Sequence, residues 1–254
     1  MFGGYPSFRR VPAGVRMLRA AGGPLFALRP VVRRLLPPWR RAKWEQFLSS
    51  AEQPAEVYRA QRGLFMPSEI SELLGPALRE PDVLRDANER LMNAEKQLLG
   101  AVGPEPLESA VARLEFRMYL GSQLLRDVDA LSMAHSLEVR VPFADHTLLS
   151  NVWPMLGQHP ELLTRKRFLR QLLRQRFPRS IHQRPKQGFT LPFDTWMRGR
   201  LGDFVRDGLE ALSKEGWIQS SVPNSLWDAW KGGLVHWSRP WALGIAGHYA
   251  KGLP

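Results

Sequence analysis

Two short stretches of the sequence place charged side chains where they can act together. In the first, Ser132 to His146, Glu138 and Arg140 stand two residues apart among Val139 and Val141. In an extended strand, residues i and i+2 share a face, so the carboxylate and the guanidinium would lie side by side with the valines opposite. Pro142 then discourages further pairing, and Asp145 is placed to cap the helix that follows. In the second stretch, Arg184-Pro185-Lys186-Gln187-Gly188-Phe189, Lys186 sits in a turn where Gly188 permits close backbone approach. A cation held in such a loop can meet an anion, although an isolated loop lysine is most simply a solvated one. The six histidines show no ligand spacing and there is no cysteine, so no structural metal is predicted and thiolate chemistry is excluded.

Helices must position these two stretches. Leu107, Val111, Leu114 and Met118 repeat at three and four residues, the mark of a core-facing stripe on a helix over 107–120. Helices are predicted over 81–99, closed by Gly100, and over 127–136, leading into the central stretch. Another is predicted over 165–177, capped by Thr164, with its arginines on the solvated face. Pro12, Pro30, Pro37 and Pro38 break the first 43 residues into short helices at 13–21 and 25–36, the second kinked by Pro30. The chain reads as mainly α with one strand, Glu138 to Val141, which needs a sheet to join.

The 254 residues suffice for a sizeable core, and no uninterrupted apolar run is long enough to span a membrane. The net charge of +12 is concentrated: the first 43 residues carry nine arginines and Lys43 with no acid. Nucleic acid, an anionic membrane, a transit-like segment and a face beside an anionic substrate all compete for that excess. The absence of interleaved stacking aromatics argues against specific nucleic-acid recognition.

The central stretch resembles the synthetase domain of glutamine-dependent asparagine synthetases, where the run reads roughly D-x-x-S-M-A-x-S-L-E-x-R-x-P-F-L-D. Asp129, Ser132 to Ala134, Ser136 to Glu138, Arg140, Pro142, Phe143 and Asp145 match it, and Ala144 replaces the usual leucine. The second stretch, with Pro192 and Trp196 beyond it, is similar to that family's R-P-K-x-G-F block. Phe2-Gly3-Gly4-Tyr5 resembles the end of G-x-D-E-x-F-G-G-Y, with Met1 at the position of the family's Leu, Val or Ile. The resemblance covers nearly the whole chain and weakens after about Gly216.

The resemblance implies the helical C-terminal portion of an α/β adenine-nucleotide-binding domain of the PP-loop type, with its parallel sheet largely missing. It implies one partial domain: a basic segment over 1–43, a helical core with both motif blocks over 44–216, and C-terminal helices over 217–254. The activity it implies is ATP-dependent amidation of aspartate to asparagine through an acyl-adenylate, with ammonia from glutamine. Lys186 is then the catalytic cation at the phosphates. Gly4, Tyr5, Asp129, Ser132, Glu138, Arg140, Arg184 and Gly188 are the nucleotide- and substrate-binding candidates. Glu138 and Arg140 would orient one another as a buried pair beneath the site. ATP and Mg2+ are the implied cofactors, although the family's acidic pair, phosphate loop and glutaminase domain would lie before Met1. The expectations are therefore a truncated, split or mis-started gene, a chain inactive and loosely packed by itself, and a partner polypeptide carrying the N-terminal half. A cytoplasmic location is expected. Two alternatives stand beside this reading: a related amidotransferase for another carboxylate in a peptide, antibiotic or polysaccharide pathway, and a non-catalytic basic helical interaction module.

Overall fold

A computed structural model describes residues 3–21, 27–50, 52–83, 85–86, 89–90, 105–183 and 191–252. The described residues are mainly helical and group into two compact units. The first comprises residues 1–32, 45–62 and 93–187, and the second 33–44, 63–92 and 188–254. This grouping interleaves the three consecutive segments expected from the sequence.

The first unit is built on the helix Ser7–Ala21. Phe8, Val11, Val15 and Leu18 recur at three and four residues and are all buried. They pack with Val57 and Tyr58 of the helix Pro54–Arg62 and with Val111 and Leu114 of the helix Leu107–Leu114. Burying each such side chain contributes about 1.5–3 kcal/mol relative to leaving it exposed. The first helix starts earlier than the expected 13–21. Pro12 forfeits one intrahelical hydrogen bond, yet it is itself buried on the core face, and that burial offsets the loss. Pro30 stands near the start of the helix Arg29–Leu35, where a missing N–H breaks nothing, so it starts that helix instead of kinking it.

The 107–114 helix passes directly into a π-helical segment, Glu115–Leu124, and then into the helix Leu125–Met133. The helix expected over 107–120 would end before Gly121. Instead the wider turn carries the chain through, an uncommon geometry that often accompanies a function. Further on, Thr164 does not cap. Its hydroxyl donates to Glu161 O at 2.8 Å, and the helix Arg167–Arg174 begins from Lys166 in the left-handed region.

The expected strand Glu138 to Val141 does not form. Residues 138–141 have no ladder partner, and no strand is present among the described residues. An isolated antiparallel bridge, Leu74 to Ile218, is found in the second unit. Backbone that alternates apolar and charged residues makes a strand only where a neighbouring strand accepts its hydrogen bonds. Asp145 does cap: its Oδ1 accepts from Leu148 N at 3.0 Å, opening the helix His146–Gln158. Residues 81–83, 85–86 and 89–90 are helical as expected, and the rest of that expected helix lies outside the described residues.

In the second unit the helices Gly202–Lys214, Val222–Lys231 and Ser238–Lys251 surround Val205, Leu209, Leu212 and Trp230. Buried Glu69 forms an ion pair with Arg239 and accepts from Met66 N at 2.9 Å, which fixes the start of the helix Pro67–Leu73. No helix among the described residues is long and apolar enough to cross a membrane.

Candidate functional site

The site begins with a turn. Gly3 has φ +71°, and a Cβ built there would stand 1.6 Å from Leu163 O. Only glycine both adopts that conformation without strain and lets the two backbones meet. Gly4 and Tyr5 then lead into the Ser7–Ala21 helix.

The turn, the first helix and residues 164–182 enclose a cleft of about 960 Å3. Five cationic side chains line it, Arg9, Arg16, Arg165, Lys166 and Arg170, against one carboxylate, Glu108. Arg9 and Arg16 are seven apart on one helix and so share a face. Arg16 is compensated by Glu108, with Nη2 to Oε1 at 2.6 Å. Arg165 and Lys166 both have left-handed backbone, with φ of 50° and 57°. Residues without glycine's freedom hold that geometry at a cost of about 1–3 kcal/mol each. Here it turns two cations toward one cleft just before a helix.

A second cavity of about 230 Å3 lies beyond Tyr5 and Lys166, which border both. Tyr119, Val141 and Phe143 line it, with Glu115. Burial, followed by the charge and hydroxyl of its neighbours Tyr119 and Glu115, pushes the Tyr5 phenol above its usual range.

Of the residues singled out from the sequence, Gly4 and Tyr5 line the cleft. Asp129 and Ser132 do not. They sit near the end of the 125–133 helix, Asp129 exposed and Ser132 half-buried, where Ser132 Oγ donates to Asp129 O at 3.2 Å. Glu138 and Arg140 do pair with each other, but the expected burial fails: their side chains are 69% and 84% exposed. With no sheet over residues 138–141, nothing takes this pair out of water. Arg184, Lys186 and Gly188 lie outside the described residues. Among the described residues no group of three or more acids and histidines is placed to hold a metal ion.

Sequence reasoning missed Lys166, Arg9 and Arg170, having assigned the arginines of 165–177 to a solvated face. The signal was present in the consecutive cations Arg165, Lys166 and Arg167, with Lys166 and Arg170 four residues apart.

Comparisons with known proteins agree with the motif blocks. The family model described as asparagine synthase matches residues 1–248. A putative glutamine-hydrolyzing asparagine synthetase of Mycobacterium tuberculosis is 28% identical over 199 residues, covering 78% of this chain and 29% of that protein. The corresponding protein of Mycobacterium bovis matches to the same extent. Glutamine-hydrolyzing asparagine synthetase 1 of Bacillus subtilis is 26% identical over 110 residues, covering 41% of this chain and 17% of that protein. The chain thus spans less than a third of the length of these relatives. No solved structure matches it significantly. With the model matched over almost its full length, the chain belongs to the asparagine synthase family.

Proposed function

We propose that the chain forms part of an ATP-dependent carbon–nitrogen ligase that converts a substrate carboxylate to an amide. Aspartate is the substrate and ammonia from glutamine the nitrogen source, as the names of the relatives suggest. One observation carries the reading. The Gly3-Gly4-Tyr5 turn, where the family resemblance places a nucleotide site, opens on a cleft whose Arg9, Arg165, Lys166 and Arg170 have no carboxylate partner among the described residues. Such a cleft is electrostatically incomplete without an anion.

When bound, ATP would supply the activating adenylyl group, pyrophosphate leaving as the carboxylate is adenylated and AMP leaving as ammonia takes its place. The cleft residues do the rest. Lys166, Arg9 and Arg170 donate to phosphate oxygens and neutralise the charge that grows on the leaving group. Gly4 and Tyr5 form the floor. Lys186, with Arg184 and Gly188, supplies the further cation and close backbone approach that the R-P-K-x-G-F resemblance implies. Asp129, Ser132, Glu138 and Arg140 act on the substrate side, once a segment carrying the family's phosphate loop packs on the exposed Leu137, Val139 and Phe143. No step is assigned to Mg2+. The expected setting is the cytoplasm.

Inorganic pyrophosphate titrated into the full chain by calorimetry tests this reading. Binding should weaken steeply with salt, and Lys166→Ala should weaken it about ten- to hundredfold, as for loss of a charge-assisted hydrogen bond. Absence of binding, or unchanged binding in Lys166→Ala, would overturn it in favour of a non-catalytic module. In the enzyme completed with its phosphate loop, Lys186→Ala should slow pyrophosphate release by about 10²–10³, by analogy with an oxyanion-hole donor. If the loop supports adenylate formation from a different carboxylate and not from aspartate, the acceptor assignment changes while the chemistry stands.

A further inference from the structure

We propose that Arg62, clamped by Glu115, is a positioning residue that fixes the Tyr5 floor of the cleft. The inference rests on reading that cleft as an anion site. Glu115 is 1% exposed, and both its oxygens are engaged. Oε1 accepts from Ser7 Oγ, two residues after Tyr5 at the start of the first helix. Oε2 faces Arg62 Nη2 at 3.3 Å. One carboxylate thereby ties together the start of the 7–21 helix, the end of the 54–62 helix and the point where α-helix gives way to π-helix at residue 115.

Arg62 carries the constraint onward. Its guanidinium is hydrogen-bonded to Tyr58, lies 4.1 Å from the ring centre of Tyr119, and lies 5.5 Å from that of Tyr5. Tyr5 and Tyr119 meet edge-on, 5.4 Å apart at 88°. The Tyr5 ring is therefore set by a planar cation whose own plane is fixed by a carboxylate and a phenol. An ion pair taken largely out of water, here a buried Glu115 with a half-buried Arg62, contributes little to stability compared with an apolar pair of the same volume. What it adds is direction, and here the direction is that of the wall between the two cavities.

The test separates positioning from folding. Glu115→Gln alone leaves the half-buried Arg62 guanidinium uncompensated and should lower the melting temperature. The double variant Glu115→Gln/Arg62→Met removes both charges at similar volume and should melt near wild type. It should nevertheless bind inorganic pyrophosphate about tenfold more weakly. Its Tyr5 should also be nitrated by tetranitromethane several-fold faster relative to Tyr249, an exposed internal reference. A folded double variant with wild-type affinity and a wild-type nitration ratio overturns the proposal. If the double variant fails to fold, Arg62→Lys decides, because it keeps the charge and loses the planar fork. An unchanged Tyr5 nitration ratio in Arg62→Lys overturns the proposal, and an increased one supports it. If the wild-type chain binds no pyrophosphate, the anion-site reading falls and the nitration ratio alone decides the positioning role.

Discussion

The side chain of Lys166 passes directly over Gly4. A Cβ built on Gly4 would stand 2.8 Å from Lys166 Cε and 3.6 Å from Cγ. The lysine thus reaches the border between the two cavities through space that a side chain at position 4 would occupy.

Gly4→Ala should accordingly separate binding from stability. The clash falls on the far end of a flexible side chain, so stability should change by about 0.5 kcal/mol or less. The ammonium must move aside, and pyrophosphate affinity should fall. Paired melting and calorimetric titrations check this. Full affinity in Gly4→Ala would show that the path of Lys166 over Gly4 does not matter to the anion.

Gly3→Ala should behave in the opposite way. The added Cβ meets backbone, Leu163 O at 1.6 Å and Leu163 C at 2.3 Å, which cannot rotate away. The residue would also have to hold φ near +71°. Left-handed strain and overpacking each cost about 1–3 kcal/mol, so their combined loss should be plain in a denaturant titration. Wild-type stability in Gly3→Ala would mean that the turn at 163–164 is free to shift.

The Asp145 cap gives a pH-dependent signature. The N–H of Leu148, and to a lesser degree that of Thr147, hold the Asp145 carboxyl below its usual range. A depressed carboxyl stabilises the fold above its unfolded-state pKa, and that contribution is lost as pH falls through the folded-state value. Amide protection at the start of the 146–158 helix, taken relative to the intrinsic exchange rate at each pH, should therefore fall on acidification in wild type, and in Asp145→Ala it should be low at neutral pH already. Exchange in Asp145→Ala that matches wild type at neutral pH would remove the cap from the account.

Much of this was legible in the sequence because it is local. The 107–114 stripe and the Asp145 cap each depend on residues within a few positions of one another. The motif blocks gave the family in the same way. What was not legible depends on distant partners. The burial of Glu138 and Arg140 required a sheet over residues 138–141, and without one the pair stays in water. Lys166 falls in the stretch whose arginines read as a solvated face, and nothing near it in sequence shows that it crosses Gly4, 162 residues earlier. Glu115 carries no local signal that marks it out in the 107–120 helix. Its burial follows from Ser7 and Arg62, brought to it by the packing of two other helices.

Tyr58 provides a spectroscopic reading of that buried cluster. Burial first, and the Glu115 charge second, push its phenol up to about 12, against the opposing effect of Arg62. The raised value means that the folded state favours the neutral phenol. The corresponding stability is complete below the unfolded-state value of 10.0 and is lost as pH rises through the folded-state value near 12. Ultraviolet titration at the tyrosinate band should therefore resolve a late-ionising group, and thermal stability should decline between about pH 10 and 12. Glu115→Gln removes a charge that opposes phenolate formation and leaves Arg62, which favours it, so the late step should move to lower pH. In the double variant without Arg62 both influences vanish while burial and, to a lesser degree, Tyr119 still act, so the step should remain above the ordinary tyrosine range. A late step that stays put in Glu115→Gln would mean that the Glu115 charge does not reach Tyr58, and the cluster would then not act as one unit.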